Sequence, residues 1–595
     1  MNLRRTGRRL LIRLKLSRKQ VENIGTHAED SLDKLLLRRF YRLAPVRRFV
    51  LAWVGLLILL MGGVFYENLA LSDFYQQLRH IPGGIYTEGV EGTFTNANPI
   101  YATSDADRTV SSLLFSGLLK TGADGNLEGD LASNYSVDSS EKVYTVHLRS
   151  GLKWQDGVPL TSRDVVFTFK TIENPDADSP LFSSWKGIDV SAPNADTVIF
   201  KLPDVLASFP NNLTTGIIPQ HLLSTVADTD LRSDEFNTVH PVGSGPFEWQ
   251  ALQVLNGSDP SNLETEIALR PFVGYVGGSP KLDQFTVDVF SDSNQLLSAF
   301  ESKNLTAMEG VDNVPASLFH KPGVVDNSFI LRAADMVFFK TSSGVLADKN
   351  IRSALVQSAN VPAIVKSLGY STLQVREPLL MRQLGYNPAY AQQNFNLPAA
   401  KQLLDSDGWK VGKDGFRYKN GQSLSFMLTA LNTTENQKVT NELRRQWQAA
   451  GVQLNVQLLN PTDFQSAISY HNYDALMTAV SIGTDPDVFV YWDSSQADIR
   501  STNRLNFSEY NNPTADQALE AGRTRLDPAI RVIKYAPFLQ AWQQDNPALG
   551  LYQPRLIYLT NGSVGGIGEH VINTPTDRFN NVQNWEIRET KVTTH

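Results

Sequence analysis

Eighteen consecutive uncharged residues, Phe49–Tyr66 (FVLAWVGLLILLMGGVFY), divide this chain into two parts of opposite sign. Residues 1–48 hold 14 Lys and Arg against 4 Asp and Glu, a net of +10. Residues 67–595 hold 40 against 57, a net of −17. As a helix the run measures about 27 Å, at the short end of what crosses a bilayer. A buried core helix leaves the charge step unexplained. A cleaved leader would have a much shorter positive region and a small-x-small site after Tyr66, which is not evident. The run therefore reads as an uncleaved transmembrane helix (49–66), with Arg47-Arg48 at the cytoplasmic face and the acidic part outside, extracellular or periplasmic. Segment 1–48 interleaves its cations with Leu ("LLIRLKL", "LLLRRFYRL"), the pattern of an amphipathic helix on anionic lipid. Membrane lipid is the expected partner of that segment, and nucleic acid is not.

At 595 residues the chain is long enough for roughly three to four units, and its 42% apolar content is ordinary for a large core. It has no cysteine, which excludes disulfides, thiolate metal sites and lipidated Cys. Residues 67–84 form a linker: Glu67–Ile81 reads as a helical stalk ended by Pro82-Gly83-Gly84. No repeat or low-complexity tract follows. In the second half, 423–431 reads as a buried strand, 432–451 as a helix with Val439, Leu443 and Trp447 on one stripe and Gly451 ending it, and 452–459 as a strand. A short helix at 462–469 and a strand at 473–480 complete a βαβ pattern with a mostly parallel sheet, so the fold class is α/β.

No catalytic motif announces itself. Gly243-Ser244-Gly245 lacks nucleophile-elbow spacing, and neither HExxH nor a phosphate-binding Gly-rich loop ending in Lys-Ser/Thr occurs. His471 and Asp474 read as loop contacts and not as metal ligands. The chain is read as a non-enzyme needing no cofactor or metal. Asn561-Gly562-Ser563 is a glycosylation sequon only in a glycosylating host.

One stretch, "LRSGLKWQDGVPLTSRDVVFTF" from Leu148, sets a strand, an Asp156-Gly157 turn and a helix opening on Thr161 with Asp164 three residues on, close to a capping box. Val165, Phe169 and Ile172 mark the helix's apolar face. This stretch resembles the signature of family 5 extracellular solute-binding proteins, the peptide-binding components of ABC importers. Further landmarks come in the family's order: "TFTNANPIYATSDADRTVSSLLFSGLLKTGADGNLEGDLASNY", "VGSGPF", "PKLDQFTVDV", "FFKTSSGVLADKNIRSALVQSAN", "YNPAYAQQNFNLPAAKQLLDSDGW", "WQAAGVQLNVQ", "TDPDVFVYW", "YNNPTAD" and "DNPALGLYQP". The resemblance spans about residues 85–560.

It implies a two-lobed periplasmic-binding-protein-like fold of the type II, large peptide-binding class. Residues 85–327 and 548–595 would form lobe I and 328–547 lobe II. It also implies a ligand, a peptide or similar small solute, buried between the lobes and handed to an ABC permease. On lobe I the implied ligand contacts are Thr95, Asn96 and Asn98, which also read as turn residues, with Gly243 and Ser244 in the crossing loop. On lobe II they are Phe338, Phe339, Tyr491 and Trp492, which read equally as core, and Asp485 and Asp487 around Pro486. Peptide binders of this family place a Trp and, three residues on, an Asp before the Asp-Pro loop, where the Asp pairs with the ligand's amino terminus. Those places hold Ala479 and Ile482 here. Either Asp485 or another acid substitutes, or the ligand lacks a free amine. The alternative readings are a cleft that signals inward through the cytoplasmic segment and a binding protein for a non-peptide solute such as a sugar or a blocked peptide.

Overall fold

In a computed structural model of the chain, the described residues are 46–74, 76–255, 263–501, 504–568 and 571–593. The amphipathic reading of 1–45 lies outside them. One unit comprises the N-terminal helix and a short two-stranded sheet. The helix runs Arg47–Phe74, and its stretch Arg48–Glu67 is long and apolar enough to cross a membrane by length and composition. The expected helical stalk is corrected here. Helix gives way at Phe74, and Gln76–Ile81 is a strand paired with Arg588–Thr593. Its backbone groups find their partner more than 500 residues away, which local sequence cannot reveal.

The second unit, residues 80–588, contains two lobes of mixed α/β structure. Lobe I is built on a seven-stranded mixed sheet in the order Val324–Asp326, Tyr558–Asn561, Ala307–Glu309, Ile85–Glu91, Gln284–Phe290, Glu264–Pro271, Phe247–Leu255. Period-2 alternation sends Tyr86 and Val90, with Phe285, Val287 and Val289 of the parallel neighbour, onto one face. There they pack with Val110, Leu113 and Leu114 of the helix Asp105–Leu114. Between Tyr86 and Val90 lies Glu88, fully buried, with Arg578 Nη2 2.6 Å from its Oε1 and the Tyr558 hydroxyl donating to Oε2 at 2.5 Å. A desolvated ion pair is tolerated only with such complete partnering, and it ties the C-terminal segment to the central strand.

A four-stranded antiparallel sheet (Ala132–Val137, Val143–Leu148, Thr197–Lys201, Asp189–Asn194) carries the helix Ser162–Glu173. The expected capping box is present: Thr161 caps the helix, and the Thr161 N–H donates to Asp164 Oδ2 at 2.8 Å. Val165, Phe169 and Ile172 are buried, and Gly157 takes φ +90° in the turn before it.

Lobe II holds a five-stranded sheet in the order Gln453–Leu459, Ser425–Leu431, Ala475–Ser481, Ala333–Phe339, Ala548–Tyr552. The expected βαβ order is observed. Ser425–Leu431 pairs in parallel with both of its neighbours, and the helix Thr434–Ala449 buries Val439, Leu443 and Trp447. Gly451 follows its end at φ +87°. The return crossing expected at 547 moves later, because Ala548–Tyr552 hydrogen bonds to Ala333–Phe339 and closes the second sheet. The lobes are joined where Phe329–Ile330 pairs antiparallel with Arg555–Leu556.

Candidate functional site

Between the lobes lies a cavity of about 580 Å³, within the ordinary range for a small-molecule site. Lobe I contributes Arg108, Ser111 and Ser112 from the helix Asp105–Leu114, the chain from Ser116 to Thr121, the loop around Thr214–Gly216 and the segment 573–580. Lobe II contributes the loop Ser481–Asp485 and Asp487. That loop continues directly from the strand Ala475–Ser481, so a buried sheet strand aims it at the cavity. Its backbone is fixed where the Ile482 and Gly483 N–H groups both donate to the Arg332 carbonyl at 3.0 Å.

Asp485 and Asp487 are the two expected site residues that line the cavity, and neither carboxylate is free. Asp485 receives two parallel bonds of 2.7 Å from Arg531, whose guanidinium is almost fully buried. Desolvation pulls the Arg531 pKa down, and the bonds from Asp485 more than reverse it, leaving it above the ordinary value. Asp487 accepts from Ser208 Oγ at 3.0 Å and pairs with Arg523 at 3.1 Å, whose guanidinium lies 4.2 Å over the Phe489 ring. Asp577 caps the turn Pro575–Phe579, accepting from Asn573 N at 2.8 Å and Thr574 N at 3.2 Å; burial raises its pKa. Asp130 is buried behind Ser116 and hydrogen bonded to the Tyr275 hydroxyl. Burial raises the pKa of both groups, and Lys120 opposes the rise at Asp130.

The other expected contacts prove to be scaffold. Thr95 donates from its amide and hydroxyl to the two oxygens of Asp107 at 2.7 and 2.9 Å, and the Asn96 amide joins at 2.9 Å. Asn96 Oδ1 accepts from Asn98 N at 2.8 Å, and Asn98 Nδ2 donates to Asn237 Oδ1 at 3.1 Å in the interior. These bonds shape the turn that sets Pro99 against the cavity. Gly243 is glycine because a Cβ there would overlap the Leu114 carbonyl, and at Gly245 it would sit 2.7 Å from the same carbonyl carbon. Gln155, in the stretch beside Asp156-Gly157, holds this loop by accepting from Gly243 N at 2.8 Å. Ser244 is buried beside it, away from the cavity. Phe338 packs on Trp492 (centroids 5.6 Å apart) and Phe339 on Trp447 (6.4 Å), all in the core. Tyr491 packs against the same core and donates its hydroxyl to the Ser481 carbonyl at 2.8 Å. Of the two departures, Ile482 lines the cavity and Ala479 does not.

The lobes touch along the cavity rim. Ala207 N donates to the Arg523 carbonyl at 2.9 Å, and Arg332 Nη2 to the Asp124 carbonyl at 2.8 Å. The Thr484 hydroxyl accepts from Arg332 Nη1 at 2.8 Å and bonds the Gly125 carbonyl. Thr434 N and Oγ1 donate to Asn313 Oδ1 at 2.8 and 2.9 Å. Sequence reasoning missed Arg531, Arg523, Lys120, Asp130 and Tyr275. The first two are ordinary helix residues until folded, and the others lie in or near quoted landmarks with no chemical signature of their own.

Comparison with known proteins places this arrangement. The family model described as bacterial extracellular solute-binding proteins, family 5, middle region, matches residues 126–501. The oligopeptide-binding protein AppA of Bacillus subtilis is 27% identical over 523 residues, covering 84% of this chain and 91% of that protein. Its solved structure in complex with a nonapeptide aligns with TM-score 0.67 at 24% identity, covering 86% of this chain and all of that one. NikZ of Campylobacter jejuni in complex with Ni(L-His) aligns with TM-score 0.71 at 22% identity, covering 84% and 99%.

Proposed function

This chain belongs to the bacterial extracellular solute-binding proteins of family 5, and from that membership we propose that it binds peptides between its lobes. It is a solute-binding receptor of an ABC importer, acting outside the cytoplasm. The observation carrying the ligand reading is the interlobe cavity, whose walls set Ser and Thr hydroxyls, Asn amides and backbone groups among apolar side chains such as Leu119, Ile482 and Phe579. Such walls satisfy the repeating donors and acceptors of an extended peptide while leaving its side chains loosely specified. Only in the closed state does a ligand touch both lobes, so binding shifts the population toward closure.

The helix Arg47–Phe74 anchors the receptor as a single span with the basic N-terminus in the cytoplasm. The anchor holds the receptor beside its permease and raises its effective concentration there. Since the chain has no cysteine, single cysteines introduced at Ser17 and at Ser136 test the topology. An impermeant maleimide applied to cells in which any outer membrane has been permeabilised should label only the second, and labelling at Ser17 would overturn the orientation.

Ligand binding is tested by thermal unfolding of the full chain in nanodiscs against di- to hexapeptides. Stabilisation of about 2.7 kcal/mol is expected at a hundredfold excess over Kd. No shift with any peptide would remove the peptide reading.

A further inference from the structure

The cavity's charges are unevenly available. Each of its four carboxylates, Asp130, Asp485, Asp487 and Asp577, is engaged by the protein itself, through hydroxyls, arginines or capping amides. Its two cations have exposed ion-pair partners, and Lys120 also acts electrostatically on buried Asp130. Arg108 pairs at 3.1 Å with Asp105, which is 59% exposed, and Lys120 lies 3.4 Å from Glu128, which is 55% exposed. Neither of those carboxylates lines the cavity. Pairs with such exposed partners are worth little and exchange readily with water or another anion.

Lys120 also has a neighbour suited to a second bond. Its Nζ donates to the Asn580 backbone carbonyl at 3.3 Å, so the two residues meet on one wall of the cavity. Asn580 Nδ2 is buried and has no acceptor among the described residues, and Asn580 lines the cavity. A buried amide donor left without a partner is unfavourable, and an entering carboxylate oxygen would relieve it.

We propose that Lys120 and Asn580 form a carboxylate subsite, so that the ligand is held at an acidic end and needs no free amine. This rests on the peptide reading above and specifies which end of the peptide is recognised. Lys120 supplies the opposite charge and the Asn580 amide a directional donor. A ligand ammonium, by contrast, meets carboxylates that the protein already engages through arginines, hydroxyls or capping amides.

The test is calorimetry on the full chain in nanodiscs with alanine di- to pentapeptides as free acids, as N-acetyl derivatives and as C-terminal amides. The N-acetyl forms should bind like the free acids, and the amides about tenfold or more weakly. Lys120→Met should weaken free-acid binding by a similar factor and abolish the acid–amide difference, while Lys120→Arg retains it; unchanged thermal midpoints exclude misfolding. If acetylation abolishes binding, or amides bind as well as acids, the subsite is overturned while the peptide reading stands. If no peptide binds in any form, the peptide reading falls, and the subsite with it.

Discussion

Arg531 grips Asp485 through two parallel N–H···O bonds of 2.7 Å each, 46 residues away along the chain. The pair turns the acid at the end of the cavity loop from a ligand anchor into a strut. Buried partners of this kind are strongly interdependent, because either one alone is an uncompensated charge in a desolvated site.

Asp485→Ala should therefore destabilise the fold by about 3–5 kcal/mol by stranding Arg531, with Arg531→Met comparable. The double variant Asp485→Ala/Arg531→Met should recover most of the loss. Urea unfolding of the four proteins checks this through the coupling energy, and additive losses would show that the pair does not act as a unit.

Gly243 is pressed against the Leu114 carbonyl. Gly243→Ala should lower stability by about 1–3 kcal/mol through overpacking. Gly157 has open space around it, but its φ of +90° strains any other residue, so Gly157→Ala should cost about 1 kcal/mol. Thermal midpoints of the two variants check this: the larger fall is expected for Gly243→Ala, and equal falls would rule out the clash with the Leu114 carbonyl as its cause.

Thr484 links Arg332 to the Gly125 carbonyl across the rim. Thr484→Val keeps the shape and removes these bonds together with one to Asn573 Oδ1 at 3.2 Å, which should disfavour closure by about 1 kcal/mol. Small-angle scattering of the unliganded protein should show a larger radius of gyration, and peptide affinity should fall about fivefold. An unchanged scattering profile would show that the rim bonds do not hold the lobes together.

Asp335 is fully buried on the strand Ala333–Phe339, with Oδ1 lacking a partner among the described residues. Burial first, then nearby Glu435, raises its pKa to about 8, against a lowering by the Tyr552 hydroxyl. The folded protein thus holds this proton where the unfolded chain releases it near the ordinary carboxylate value. Its contribution is greatest at low pH and is lost as pH rises towards about 8. Asp335→Asn should flatten the fall in thermal midpoint between about pH 4 and pH 8, and a variant whose midpoint falls as steeply as the parent's over that range would rule Asp335 out as the cause.

How much of this was legible before folding divides by the range of the interaction. The capping box of Thr161 and Asp164, the turn at Gly157, the helix stripe Val439–Leu443–Trp447 and the parallel strands flanking it all follow from residues a few positions apart. The apolar run at 49–66 and its charge step are equally local, and the family landmarks carried the two-lobed α/β architecture. The site was legible only as a neighbourhood. The loop after Ser481 does reach the cavity, but Phe338, Phe339 and Trp492 went to the core and Thr95, Asn96 and Asn98 to a turn, because apolar and amide side chains look alike in either role.

What the sequence by itself determined was therefore the menu of elements and their order. Only the tertiary structure decided that Gln76–Ile81 pairs with Arg588–Thr593, that Ala548–Tyr552 completes the second sheet, and which charged residues line the cavity. The physical reason is that pairing energies depend on distance and desolvation, not on separation along the chain. Asp485 is an ordinary exposed acid until folding buries Arg531 beside it, and Lys120 reaches the cavity wall between the exposed Glu128 and the buried Asp130 only because folding brings them together.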